Sequence, residues 1–229
     1  MSTSPTRLFL VRHGATTLSA EDAFAGATDV ELSAEGEAQG GRLGARLADE
    51  PIAAVYCSPL RRTVATARLV AGPRRADPIQ RPGLREIHHG RWEGRKRAEV
   101  EARFPDEYAA WEADPFTFAP EGGESGLQVL ARALPEIRTI VATHAGQNVL
   151  VVSHKATIRL VLSSLLGFDA RGYRDRLDQS PACLNILDFK DAVRARLMLF
   201  NDISHYADHR ERKGQCLSKW WDGSEAKGT

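Results

Sequence analysis

Arg7-Leu8-Phe9-Leu10-Val11-Arg12-His13-Gly14 sets four apolar residues directly before a guanidinium, an imidazole and a glycine. Four apolar residues are too few for an ordinary helix and, with Phe9 and Val11 among them, suit a buried strand. Arg12 and His13 then stand at the carboxyl end of that strand, where open α/β sheets bind their ligands. A cation and an imidazole together at such a place describe an anion site. Gly14 lets the chain turn away tightly and leaves room for a close approach. Arg-His-Gly alone is a common string, so its weight comes from the rest of the chain.

Downstream, residues 15–29 are small, polar and glycine-bearing, a loop on the same rim as His13. Ser33 is an N-cap for a helix over 34–49 on the stripe Ala38, Leu43, Leu47, ended by Pro51. A second strand over 52–56 stops at Cys57-Ser58-Pro59. There Ser58 is expected to cap a helix with Pro59 at its first position and Arg61, Arg62 and Thr66 in its first turns. Residues 78–80 suit a short edge strand. From Leu84 to about Pro135 the chain changes character. Trp92, Phe104, Tyr108, Trp111, Phe116 and Phe118 gather between Pro105, Pro115 and Pro120, with Gly122-Gly123 as a hinge, and the stretch reads as an inserted helical cap. A helix over 125–143 carries Pro135 as a candidate kink, a third strand over 148–153 ends at His154, and a helix over 156–166 is stopped by Gly167. Two late strands, 183–189 and 194–201, meet at Lys190-Asp191. One domain is expected over 1–213, with the cap at about 84–135 and a polar tail over 214–229.

Composition narrows the function classes. Lysine plus arginine number 31 against 30 acidic residues, so no overall field favours nucleic acid or an acidic membrane surface, and any positive site must be local. Cys57, Cys183 and Cys216 are an odd, scattered set without a Cys-x-x-Cys pair, which fits a reducing compartment and neither a disulfide framework nor a zinc ribbon. The first residues carry no secretory pattern, and the longest apolar run, Val149 to Val152, is far too short for a bilayer. The expected location is the cytoplasm.

Alternating strands and helices imply a mostly parallel sheet whose strand ends share one rim. Arg12-His13, Ser58 with Arg62 behind it, and His154 therefore converge. Two imidazoles, two guanidiniums and two helix N-termini around one point make a dianion site, and phosphate is the obvious dianion. Glu86, at the start of the cap, would supply a proton. Each residue singly has an ordinary explanation, as a solvated arginine, a core histidine or a surface carboxylate. Their joint placement does not. His205 and His209, four apart, read as a surface pair, since no third metal ligand lies near them in the sequence.

The same residues, in the same order, resemble the histidine phosphatase superfamily, the phosphoglycerate mutase-like group. The matching stretches are Leu10-Val11-Arg12-His13-Gly14, Leu32 to Gly36 with Ala38-Gln39, Ser58 to Thr63 with Thr66-Ala67, Leu84-Arg85-Glu86 with Gly90-Arg91-Trp92-Glu93-Gly94, Gly122 to Ser125, and Val152-Ser153-His154. The resemblance implies a three-layer α/β/α sandwich with a mostly parallel central sheet and the helical cap as an insertion. It implies that His13 is the nucleophile that becomes phosphorylated, that Arg12, Arg62 and His154 hold the phosphoryl group, and that Glu86 is general acid and base. Ser19, Gly26, His89 and Lys155 join Arg12 and Arg62 as expected substrate-binding positions, with no metal and no other cofactor; a homodimer is left open. Phosphoryl transfer asks for those parts on chemical grounds too: an in-line nucleophile, positive charge on the equatorial oxygens and a proton for the leaving alcohol.

Leu18 and Ser19 depart from the asparagine and tryptophan frequent in the family, and Lys155 from a frequent glycine. Mutases of the family carry a longer insertion and a tyrosine after the acid, whereas Glu86-Ile87-His88-His89-Gly90 runs straight into Arg91-Trp92-Glu93-Gly94. The implied partner is a small phosphorylated metabolite of the phosphoserine, phosphoglycerate or phosphosugar class, hydrolysed by a metal-independent phosphomonoesterase. Mutase-type return of the phosphoryl group and a non-catalytic binding module are the alternatives. A lysine is mildly unfavourable at a helix start, so Lys155 suggests a substrate with a second anionic group.

Overall fold

The computed structural model describes residues 4–17, 23–73 and 77–207. Ser19, Leu18, His209, Cys216 and the tail from Gly214 lie outside the described residues. Strand β1 (Thr6–Arg12) extends the apolar run by two residues at its start and one at its end. Because successive side chains point to opposite faces, its four core residues divide. Leu8 and Leu10 meet Val149 and Val151 of β4 (Asn148–Ser153), Ile137 and Ile140 of α5 (Gly126–Thr143), and Ile158 and Val161 of α6 (Lys155–Leu166). Phe9 and Val11 meet Leu150 and Val152 of β4, Leu43 of α1 (Ala34–Arg46), and Ala67 and Val70 of α2 (Arg61–Ala71). Leu8 to Val11 are at most 1% exposed. This is the three-layer α/β sandwich expected of a strand buried on both faces.

Among the described residues the sheet has six strands in the order β3-β2-β4-β1-β5-β6, where β2 is Ile52–Cys57, β3 Ile79–Gln80, β5 Leu184–Phe189 and β6 Ala195–Asp202. The first four strands of that order run parallel, and β5 pairs antiparallel with both β1 and β6, joined to β6 as expected through a turn at Lys190-Asp191. Register places the site. Arg12 pairs with Ser153, and Cys57 with Val152, so the residues that follow, His13, Ser58 and His154, leave three neighbouring strands on one rim.

Two helix ends depart from expectation. Helix α1 keeps Ser33 as its cap, the hydroxyl accepting the Gly36 N–H at 3.2 Å, but ends at Arg46 rather than 49, tightening into a turn before Pro51. Helix α2 begins at Arg61, not Pro59. Its first N–H is capped from another segment, by the Asp29 carboxylate at 2.8 Å, while Ser58 hydrogen-bonds His154 instead. Helix α5 runs unbroken through Pro135, with a capping box at Ser125 and Gln128. Helix α6 ends at Gly167 in the left-handed conformation, φ 72°.

Between β3 and α5 the chain forms helices α3 (Arg97–Arg103) and α4 (Pro105–Ala113) around a separate aromatic cluster of Phe24, Trp92, Val100, Tyr108 and Trp111. A short helix that the sequence pattern does not reveal, α7 (Tyr173–Arg176), secures this cluster. Its Arg174 lies over the Trp111 ring at 4.5 Å and donates to the Trp111 and Glu112 carbonyls. Among the described residues no helix is long and apolar enough to cross a membrane.

Candidate active site

His13 is clamped through its backbone: its N–H donates to the Ser153 carbonyl and its carbonyl accepts from the Ala182 N–H, both at 3.0 Å. Its ring Nδ1 lies 2.8 Å from the Gly14 carbonyl. A carbonyl can only accept, so Nδ1 carries the proton and Nε2 of the neutral ring keeps its lone pair. The turn behind it is held by Gly14 N–H to Thr66 Oγ1 (3.1 Å) and Ala15 N–H to Gln39 Oε1 (3.0 Å). A side chain at Gly14 would run into the Gly36 backbone. Burial, then Arg62 and Arg12, push the His13 pKa well below 6.5, so the imidazole is neutral at pH 7.

His154, fully buried, stands edge-on to His13 with ring centres 5.2 Å apart. Its Nδ1 lies 3.3 Å from Arg62 Nε, which can only donate, so His154 Nε2 carries the proton and donates to Ser58 Oγ at 2.8 Å. Burial and the neighbouring Arg62, His13 and Arg12 keep this ring neutral as well.

Both arginines are positioned by backbone carbonyls. Arg62, 2% exposed, donates from Nη1 to the Thr28 carbonyl and from Nη2 to the Gly26 carbonyl, each at 2.7 Å. Those carbonyls are fixed in turn by Glu93, whose carboxylate accepts the N–H groups of Gly26, Ala27, Thr28 and His89 and the Thr28 hydroxyl. Burial raises the Glu93 carboxyl, but these hydrogen bonds outweigh it and hold the group below its ordinary value. Arg12 donates from Nη1 to the Gln179 carbonyl at 2.6 Å, while its Nε is buried and makes no hydrogen bond. Burial lowers the pKa of both arginines, which nonetheless stay charged at neutral pH.

Glu86 reaches the start of α6. Its carboxylate accepts the N–H groups of Ala156 (3.1 Å) and Thr157 (3.2 Å) and its own neighbour's N–H at Ile87, and lies 3.2 Å from the Thr157 hydroxyl, whose shorter contact, 2.7 Å, is to the Arg85 carbonyl. Of the other expected positions, Gly26 has both backbone groups engaged within the protein, by Glu93 and Arg62, and a side chain there would strike the Ile87 carbonyl. His89 stands edge-on to Phe24 at 5.0 Å, with Nδ1 buried and without a partner; burial lowers its pKa. The Lys155 ammonium lies 3.6 Å from Asp178, which also pairs with the nearly buried Arg159 at 3.2 Å. Sequence reasoning did not assign Glu93, Asp178 or Gln179 a part, because each acts on a main-chain group or on another charged side chain rather than through a strand-end motif.

Comparison with known proteins gives the family. The profile of the histidine phosphatase superfamily (branch 1) matches residues 8–203. The chain is 32% identical to phosphoserine phosphatase 1 of Hydrogenobacter thermophilus over 163 residues, 71% of this chain and 77% of that one. It is 33% identical to the adenosylcobalamin/alpha-ribazole phosphatase of Salmonella typhimurium over 184 residues, 80% of this chain and 90% of that one. A bifunctional protein of Mycobacterium tuberculosis is 37% identical over 88% of this chain, which spans 55% of that protein's length. In three dimensions it resembles Bacillus stearothermophilus YhfR with a TM-score of 0.82 at 30% identity, covering 87% of this chain and 98% of that one. The chain belongs to the histidine phosphatase superfamily.

Proposed function

We propose that this phosphatase hydrolyses a small phosphorylated metabolite through a phosphohistidine at His13, without a metal. The observation that carries the reading is the Nδ1–H of His13 on the Gly14 carbonyl, which leaves Nε2 as a nucleophile beside the guanidiniums of the buried Arg62 and the half-buried Arg12. In the first step His13 Nε2 attacks phosphorus and the P–O ester bond breaks, with the Glu86 carboxyl passing its proton to the departing oxygen. In the second step water attacks the phosphohistidine, gives its proton to Glu86 and breaks the P–N bond. Arg12 and Arg62 hold the equatorial oxygens throughout. His154, with both ring nitrogens engaged by Arg62 and Ser58, backs the cradle and orients Arg62.

Phosphoserine, ribazole phosphate and glucosyl-3-phosphoglycerate phosphatases are among the relatives, which supports a small phosphomonoester of the phosphoserine, phosphoglycerate or phosphosugar class. Lys155, in balance with Asp178, favours a substrate carrying a second anionic group. The test is phosphate release over phosphoserine, 3-phosphoglycerate, a sugar bisphosphate and a neutral sugar monophosphate, with and without chelator. The expected result is release that survives exhaustive chelation. It should also show a preference for doubly anionic substrates of about fivefold in kcat/KM, the worth of a partly exposed ion pair, narrowed in Lys155→Met. Phosphoryl transfer to an added phosphorylated acid in place of release would show a mutase, and loss of turnover restored by a divalent ion would contradict the metal-free route.

A further inference from the structure

The residue that carries the proton in this scheme sits on main chain without regular structure: residues 85–89, which follow a single 3-10 turn at Pro82–Leu84, are neither helix nor strand. Backbone groups there must find partners elsewhere: the His89 N–H goes to Glu93, the Arg85 carbonyl accepts from the Thr157 hydroxyl at 2.7 Å, and one side chain engages three of the carbonyls from Gly83 to Glu86. Arg132, on helix α5, donates from Nη1 to the carbonyls of Gly83 (2.8 Å) and Arg85 (2.7 Å) and from Nη2 to the carbonyl of Glu86 (2.9 Å). Its remaining N–H groups, on Nη2 and Nε, go to the two oxygens of Glu124, each at 2.8 Å. All five guanidinium protons are thereby used. Glu124 extends the clamp: its carboxylate accepts the His88 N–H at 3.1 Å and its own N–H donates to the His88 carbonyl at 2.8 Å. The pair is mostly buried, with Arg132 19% exposed. Glu124 is held below its ordinary value by Arg132 and the His88 N–H, against the opposing effect of burial.

We infer that Arg132 is a positioning residue for Glu86: it fixes the main chain of Gly83 to Glu86 on α5 so that the carboxylate, held by the first N–H groups of α6, meets the leaving oxygen. Glu86 is thus suspended between two helices that both pack into one core. The inference rests on the reading of Glu86 as the acid. Lysine cannot replace Arg132, because a single ammonium offers three donors from one point and cannot span three carbonyls and a carboxylate. A displacement of the acid of about 1 Å is enough to cost up to about 10²-fold in rate.

The experiment compares kcat/KM for an alkyl phosphomonoester, whose leaving oxygen needs the proton, with p-nitrophenyl phosphate, whose leaving oxygen does not. The proteins are the parent, Arg132→Lys, Glu124→Gln, Glu86→Gln and the double variant Arg132→Lys/Glu86→Gln, with concentrations corrected for folded fraction by circular dichroism and thermal midpoint. Arg132→Lys is expected to lose about 10-fold or more on the alkyl ester and under about threefold on the nitrophenyl ester, within the range that general acid catalysis spans. Glu124→Gln should move the same ratio in the same direction by less. In the Glu86→Gln background, Arg132→Lys should leave the ratio where Glu86→Gln alone puts it. Equal losses on both esters in Arg132→Lys, with Glu86→Gln still selective for the alkyl ester, would reduce Arg132 to a structural residue. A further fall in the ratio in the double variant would show that Arg132 does not act through Glu86. Equal losses on both esters in Glu86→Gln would remove the acid itself, and the inference with it.

Discussion

A histidine attacks phosphorus only through an unprotonated nitrogen, so the proposed mechanism depends on His13 remaining neutral. Burial and two guanidiniums press its pKa, and that of His154, well below 6.5. Both imidazoles should therefore give ring-proton NMR resonances that hold still between pH 8 and 6 in the free protein, whereas imidazoles of a denatured chain titrate near 6.5. A midpoint near 6.5 for His13 would contradict a neutral imidazole held by burial and the two guanidiniums. The residues at the strand ends were legible because an apolar run that stops at Arg12-His13, and another that stops at His154, announce their own positions. The positioning residues were not. Arg132 bonds carbonyls of an irregular segment, and Glu93 bonds N–H groups of another. No periodicity marks which distant main chain a charged side chain will reach.

Strand β4 lies between β2 and β1 and delivers His154, so the site's geometry depends on its packing. Leu150, fully buried between the sheet and helices α1 and α2, should cost about 2–5 kcal/mol when cut to alanine. Removing the Asp29 cap from α2 with Asp29→Ala should cost only about 0.5–2 kcal/mol. Urea midpoints would rank the two, and a cap costing more than the core residue would contradict this account. Elements with long apolar runs or strong caps were read correctly in kind. The start of α2 was misplaced because Ser58, a good cap by type, hydrogen-bonds a histidine brought to it only by the sheet. Helix α7 escaped notice because Tyr173 is its one buried apolar residue; what holds it is Arg174 against Trp111, a contact of high sequence separation.

At the scale of the whole molecule, the mostly parallel sheet followed from alternation of strand and helix, the order of its strands did not, and the antiparallel pair β5 and β6 followed from a turn too short for a crossover. The histidines set the acid side of its stability. His13, His89, His154 and His205 all have folded-state values below 6.5, His205 about 4. As pH falls through 6.5 the unfolded chain takes up protons that the folded one refuses, so stability declines, and the His205 share goes on declining to about pH 4. On the alkaline side, Cys57, raised by burial from 9.0 to about 12, makes stability fall once pH passes 9. The thermal midpoint should therefore be level between about pH 7 and 8.5 and drop toward 5.5; a rise on acidification would refute the buried neutral imidazoles. The proposed mechanism turns on one event, the transfer of a phosphoryl group to His13, and the most direct measurement is its capture. A millisecond quench in alkali after mixing with phosphorus-labelled substrate, followed by peptide mapping, should find acid-labile, base-stable label on His13 and none in His13→Ala. Label that persists in His13→Ala, or turnover without any labelled protein, would contradict the account.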